Sequence, residues 1–270
     1  MWLKLGMQDS QLYPSDLSDQ QVAILEPLLP PPAKRGRKRT PWRAVLNAIF
    51  YLLRSGGAWR MLPKEYPPWP TTYGWFRRWQ RSGVWLKIHE TLRAQVRQRA
   101  GKERQPSAGI VDSQSVKVAD QGGPRGYDAG KKISGRKRHL LVDTLGLVLL
   151  VWVSAAHVQD REAARTLLAR LAPRFSRLVM IWADGGSAGQ LVDWVWALRR
   201  RRKIRLTIVP RLGGNRFVVL PKRWIVERTW AWLLKWRRLR CDYEQQPATS
   251  ETLILIAMIG LMSRRLARKK

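Results

Sequence analysis

Cysteine occurs once in the 270 residues, at Cys241, and histidine only three times. One thiol cannot build an intrachain disulfide framework, and a zinc site made from several cysteines is excluded with it. So few thiols suit a reducing compartment, and a cytoplasmic, nucleoid-associated placement is the expectation. Long apolar runs are missing too. The longest, Leu253 to Met262, is about half of the roughly 20 residues that a bilayer span needs, and reads as a buried helix. The first residues lack a basic start followed by an apolar stretch, so neither a signal peptide nor a membrane partner is expected. Acids are the third scarcity. Nineteen Asp and Glu stand against 51 Lys and Arg, a formal net charge of +32. A compact chain with that surplus repels itself unless a polyanion offsets it. Nucleic acid is the first candidate, with a basic RNA binder and a membrane-surface protein as rivals. Hydrophobic residues make up 45% of the chain, enough for a sizeable core.

The first hundred residues read as helices. Ser18 is placed to cap an apolar-periodic run through Val22, Leu25 and Leu28, which Pro30 to Pro32 end. A basic linker follows over residues 33–40, with Lys34, Arg35, Arg37, Lys38 and Arg39. A second helix starts near Thr40-Pro41 and stops at Gly56-Gly57. A third opens at Thr71, and a fourth is expected over Val84 to Arg99. Short Gly-containing turns, with Arg77, Arg78 and Arg81 on the third helix, suggest a helix-turn-helix unit; a plain bundle with a basic face fits equally well.

Near Gln105-Pro106 the pattern changes to strands. Ala108 to Val118 is short, apolar and β-branched. His139 to Asp143 and Leu147 to Ser154 read as a hairpin across Thr144-Leu145-Gly146. A helix over Asp160 to Leu171, a strand from Arg177 to Ala183, a helix from Ala188 to Arg202 and a strand from Ile204 to Val209 follow. A long Trp-rich helix from Arg223 to Leu239 comes next. This order argues for an α/β sheet with helices on its faces, giving a small all-α domain over 1–104 and an α/β domain over 105–270.

Against so few acids, those at strand ends stand out. Asp112 follows Ile110-Val111, and Asp184 follows Met180 to Ala183. Sites in open α/β sheets form at such carboxyl ends. A single strand-end Asp also reads as a turn cap, which Asp184 before Gly185-Gly186 fits. Glu227 lies in the Trp-rich helix, four residues after Arg223 and eight and eleven before Lys235 and Arg238. On an unbroken helix these share a face, so an i,i+4 ion pair and a carboxylate flanked by phosphate-gripping cations are both open readings. Three grouped carboxylates repel unless a divalent cation offsets them. Mg²⁺ favours such oxygens, and two ions about 3.5–4 Å apart assist both attacking and leaving oxygens at a phosphodiester. Asp120, Asp128 and Asp143 are rival acids, Asp143 reading as a turn cap. His139 and His157 read as structural. Trp224, Trp230, Trp232 and Trp236 read mostly as core, with stacking on a displaced base as the rarer alternative.

Several segments resemble the IS5 family of bacterial insertion-sequence transposases, of the three-carboxylate IS4/IS5-like type. They are Ser18 to Pro30, Ser55-Gly56-Gly57-Ala58-Trp59-Arg60-Met61-Leu62-Pro63-Lys64, Val111 to Lys117, Gly126 to Lys132, Gly135 to Asp143, Asp184-Gly185-Gly186 and Arg223 to Thr229. The resemblance implies a ribonuclease-H-like mixed sheet with Asp112 and Asp184 on adjacent strands and Glu227 on a helix. It also implies two Mg²⁺ (or Mn²⁺) ions on those acids, and cleavage and strand transfer at terminal inverted repeats and target DNA. A homodimer or larger assembly on double-stranded DNA is expected, since two ends must be paired. Arg136, Lys137 and Arg138, inside one matching segment, join the linker cations, Arg77, Arg78, Arg223, Lys235 and Arg238 as expected DNA contacts. Two positions depart from the family pattern: Leu220 stands where a Tyr is common, and Lys235 falls one step late. A non-catalytic DNA-binding regulator and a nuclease without strand transfer are the alternatives.

Overall fold

The computed structural model describes residues 12–31, 40–119, 122–171, 174–184, 204–209 and 224–268. The basic linker cations Lys34 to Arg39, the expected helix Ala188 to Arg202, Leu220 and Arg223 lie outside them.

Helix α1 (Asp19–Leu25) begins with a capping box: Ser18 Oγ accepts from Gln21 N at 3.3 Å, and Gln21 Oε1 accepts from Ser18 N at 3.2 Å. Helix α2 (Trp42–Ser55) buries Val45, Ile49, Leu52 and Leu53, the apolar stripe of its sequence. It ends in a left-handed Gly56, φ 80°, where a Cβ would meet that of Arg237 at 3.1 Å. Helices α3 (Trp69–Arg81) and α4 (Val84–Arg99) are joined by Ser82 and a left-handed Gly83. Trp85 Nε1 donates to Phe76 O at 3.1 Å and stands edge-on to Trp79, which fixes this turn. α4 buries Ile88, His89, Leu92, Arg93 and Val96, so α3 is the helix of the pair that turns Arg78 and Arg81 to solvent.

A long C-terminal helix (Pro247–Ala267) buries most of its circumference, including the apolar run Leu253 to Met262 that the sequence marked. It packs against α1, α2, α4 and a strand of the sheet, β4 (Val148–Ala155). One apolar core therefore runs through both halves, joining Phe50, Trp85 and Leu92 to Ile110, Leu140, Val226 and Ile256. The change at residue 105 is a change from helix to strand within that shared core.

The sheet is mixed. β1 (Ala108–Lys117) pairs antiparallel with β3 (Ile133–Asp143) and parallel with β5 (Met180–Asp184), which pairs parallel with β6 (Arg205–Val209). The far edge of β3 is shared by β2 (Gly126–Asp128) at its start and β4 along the rest. An antiparallel set continued by parallel strands, with helices beside it, is the ribonuclease-H-like arrangement that the sequence implied. The hairpin turn is held by Asp143, whose Oδ1 accepts from the N–H groups of Leu145 and Leu147, both at 2.9 Å. β3 starts six residues before the strand expected from hydrophobicity, because its basic stretch is ordered by partners distant in sequence. α5 (Asp160–Leu171) runs as the sequence predicts.

The Trp-rich helix differs from expectation. It spans Trp224–Leu234 and stops there. Trp236 is extended (φ −92°, ψ 109°) and a short 3₁₀ turn follows at Arg237–Leu239. The break lets Trp236 stack on Phe50, centroids 6.0 Å apart, and turns Arg238 inward. Lys235 and Arg238 therefore do not continue the helical face of Glu227.

Candidate active site

β1 and β5 run side by side with Ile110 opposite Trp182. Two residues further along both strands come Asp112 and Asp184. Carried two residues past the last β1–β5 pair, the register sets the two sequence-marked aspartates level; Asp184 is the last residue of β5, whereas Asp112, expected at a strand end, lies within β1, which pairs on with β3 to Lys117. The side chain of Asp184 lies outside the described set. That of Asp112 is half-buried, and its Oδ2 accepts from Trp230 Nε1 at 2.8 Å.

Trp230 belongs to the Glu227 helix and is 6% exposed. Residues three apart share a helical face, so Glu227 lies one turn from the indole that holds Asp112. Glu227 is exposed and sits in the first described turn of its helix. The helix packs against β1. Asp112 and Asp184 thus stand on neighbouring strands, and the Trp230–Asp112 bond joins the Glu227 helix to β1. Among the described residues no group of three or more His, Cys, Asp or Glu is gathered as a metal site, the carboxylate of Asp184 not being among them. Sequence reading placed Trp230 in the core and missed its bond to Asp112; its spacing of three from Glu227 was the available signal.

The rival acids have structural duties. Asp143 pairs with Arg97 and caps the hairpin turn. Asp128 accepts from Ser115 Oγ and from Lys131 N and faces Lys137 Nζ at 3.4 Å. Burial pushes its pKa up, but these donors and the lysine charge outweigh it and hold the carboxyl below its usual range. Asp120 lies outside the described residues. His139 is buried, with Nε2 3.0 Å from Ser154 Oγ and its ring stacked on Trp152.

The expected DNA contacts divide sharply. Arg78 is exposed on α3, its guanidinium 4.7 Å from the Trp75 ring centroid, and Lys235 is exposed. Arg77 is half-buried, and its Nη1 donates to Gln80, Gln246 and Thr249. Four others are corrected by burial. Arg136 is 0% exposed, pairs with Asp242 at 3.3 Å and donates to the carbonyls of Pro124, Glu244 and Gln245. Arg138 donates to Leu239 O and Cys241 O. Arg238 pairs with Glu244 at 2.7 Å and donates to Gly57 O. Lys137, 7% exposed, faces Asp128. Arg136 and Arg138 tie β3 to the segment after the Glu227 helix, Lys137 ties it to β2, and Arg238 ties that segment to the end of α2; buried so, the four present no charge to a phosphate.

A family model of the transposase DDE domain matches residues 103–262, and one for transposases of the IS4/5 family matches residues 17–89. The uncharacterized 16.2 kDa protein of insertion element IS402 from Burkholderia cepacia is 36% identical over 113 residues, 39% of this chain and 76% of that protein.

Proposed function

The chain belongs to the IS4/IS5 family of DDE transposases, and from that premise we propose that Asp112, Asp184 and Glu227 form the centre at which it cuts the terminal inverted repeats of an insertion sequence and joins them to target DNA. The observation that carries the assignment is the meeting of two independent constraints. The β1–β5 register levels the two aspartates, and the Trp230–Asp112 bond brings in the Glu227 helix.

The donor set suits a pair of hard divalent cations, Mg²⁺ or Mn²⁺: three carboxylates, with neither thiolate nor imidazole among them. Such ions, when bound, activate the attacking oxygen and stabilise the leaving one. The chain's own residues supply position. Trp230 holds Oδ2 of Asp112 and so orients its carboxylate. Glu227 is exposed in the first described turn of its helix. Exposed cations such as Arg78 and Lys235 hold backbone phosphates, and phosphate contacts supply most of the affinity. Water is the nucleophile for cleavage, and the freed 3′-hydroxyl is the nucleophile for joining, both in-line displacements at phosphorus.

In this reading residues 1–104 serve mainly DNA binding and 105–270 mainly catalysis, on one shared core. Two copies or more would pair the two ends. No helix among the described residues is long and apolar enough to cross a membrane, and a protein acting on DNA would work at the nucleoid. The test uses duplexes bearing the element's own terminal repeats. With Mg²⁺ the protein should nick at the repeat and join pre-cut ends to a second duplex, while Asp112→Ala should bind and do neither. Nicking without joining would leave a nuclease; binding by both proteins with neither step would leave a regulator.

A further inference from the structure

Arginine and tryptophan alternate along one side of the Glu227 helix and onto the end of the C-terminal helix. Trp224, Arg228 and Trp232 are spaced by four, so they stack along one face. The Arg228 guanidinium lies 4.6 Å from the Trp224 ring centroid and 4.7 Å from that of Trp232. Arg265 packs on the same Trp232 ring at 4.4 Å. Past the end of that helix, Arg54 and Arg264 lie 4.9 and 5.4 Å from the Trp236 ring.

Like charges crowd here. Burial pushes the Arg265 pKa down, and Arg228 beside it pushes it further. The same holds for Arg264, beside Arg54 and Arg268. The acid with most influence nearby is Asp143, already engaged by Arg97 and two turn N–H groups. A cavity of about 300 Å³ opens between Arg99, Arg228, Arg265 and Leu145, and among the described residues no carboxylate lines it. Arg99 is held by carbonyls at the end of the C-terminal helix, and Arg228 Nη2 donates to Leu145 O at 3.1 Å. Arg228 Nε is buried with no hydrogen-bond partner. A cationic cluster beside a cavity that no described carboxylate lines is suited to an anion.

From these observations we infer that Arg228 and Arg265, braced by Trp224 and Trp232, form a second DNA contact that grips backbone phosphates of a duplex passing over Glu227. Stacking occupies the flat faces of the guanidiniums and of Trp232, so bases have little room to stack there. Arg228 Nε is buried and its Nη2 is taken by Leu145 O, so Arg228 Nη1 and the Arg265 guanidinium are what remain to meet phosphate oxygens. At 100° per residue, Arg228 lies on the flank of the helix away from Trp230, with Glu227 between them. Phosphates held on the ladder would place the duplex across the carboxylates. The inference rests on the transposase reading, and its test is kept apart from catalysis.

Affinity for a fluorescein-labelled duplex is measured without divalent metal across a salt series, for the full chain and the variant Arg228→Gln/Arg265→Gln. Loss of two phosphate contacts should make the slope of log affinity against log salt shallower by about two. An unchanged slope and affinity, in a variant with an unchanged melting temperature, would overturn the ladder. So would a loss confined to a single strand of the same length. Should the double variant unfold, the unsubstituted protein answers instead: phenylglyoxal modification of Arg228 and Arg265, mapped by mass spectrometry, should be slowed by the duplex. Equal modification with and without DNA would overturn the assignment. Because no cleavage is read, normal nicking by Asp112→Ala would remove the carboxylate centre and leave the ladder standing. A flat salt response would do the reverse.

Discussion

Asp112 and Glu227 are half-buried and exposed, and Asp112 meets an indole N–H. Asp242 and Glu244, a few residues past the same helix, are 1% and 8% exposed and enclosed by arginines and hydroxyls. The two regions use the same residue types. In the first, one acid lies half-buried on β1 and the other exposed in the first described turn of a helix, where a ligand can reach them. In the second, Arg136, Arg138 and Arg238 supply the donors and the charge is consumed inside the fold. Burial separates them, and so do the partners: distant backbone carbonyls for the inner cations, an indole N–H for the outer acid.

The comparison can be broken at either end. The largest effect is expected in the inner region. Arg136→Met leaves Asp242 buried beside an apolar group and should cost about 3–5 kcal/mol, read from urea unfolding. A loss below about 1 kcal/mol would mean that this network is not what fastens β3 to the segment after the Glu227 helix. In the outer region, Asp112→Asn preserves a carbonyl oxygen for Trp230 and removes the charge. Cleavage should fall at least about a hundredfold, with the unfolding midpoint little changed.

His89 gives a smaller, graded effect. It is 0% exposed with both ring nitrogens unpartnered, and burial, with Arg93 and Arg174 close by, lowers its pKa well below the usual 6.5. The unfolded chain therefore takes up a proton that the folded chain refuses. Stability should be intact above pH 6.5 and should fall below it, by at most about 1.4 kcal/mol per pH unit. His89→Leu should flatten the stability profile between pH 7 and 5.5; an unaltered slope would relocate the titration. The smallest effect is Trp230→Phe. It keeps the packing and loses one hydrogen bond, about 1 kcal/mol of stability. If Trp230 positions Asp112, cleavage should fall more steeply than stability, and a variant that cleaves like the parent would reduce Trp230 to core.

Much of this was legible in the chain. Helix α4 and helix α5 run over the residues that periodicity marked, β1 stops one residue short of its expected end, and the Asp143 turn is where the hairpin signal put it. Hydrophobic spacing and turn chemistry are local, so a sequence displays them. The start of β3 was not legible, because Gly135-Arg136-Lys137-Arg138 looks like a solvated basic loop. It becomes a strand only because Arg136 finds Asp242 and Arg138 finds Leu239 and Cys241, some hundred residues on. The end of the Glu227 helix was hidden for the same reason: Trp236 and Arg238 keep helical spacing while Phe50 and Gly57 draw them out of it. The three acids could be singled out because acids are few and two follow apolar runs, although only Asp184 ends its strand and Asp112 lies within β1. The link between two of them could not, since Trp230 reads like any core tryptophan.

The most direct measurement is a crystal structure soaked in Mn²⁺, with the metal located by its anomalous signal. The account predicts density between the carboxylates of Asp112 and Asp184 within reach of Glu227, abolished in Asp112→Asn. Manganese bound elsewhere, or retained in that variant with those oxygens apart, would contradict it.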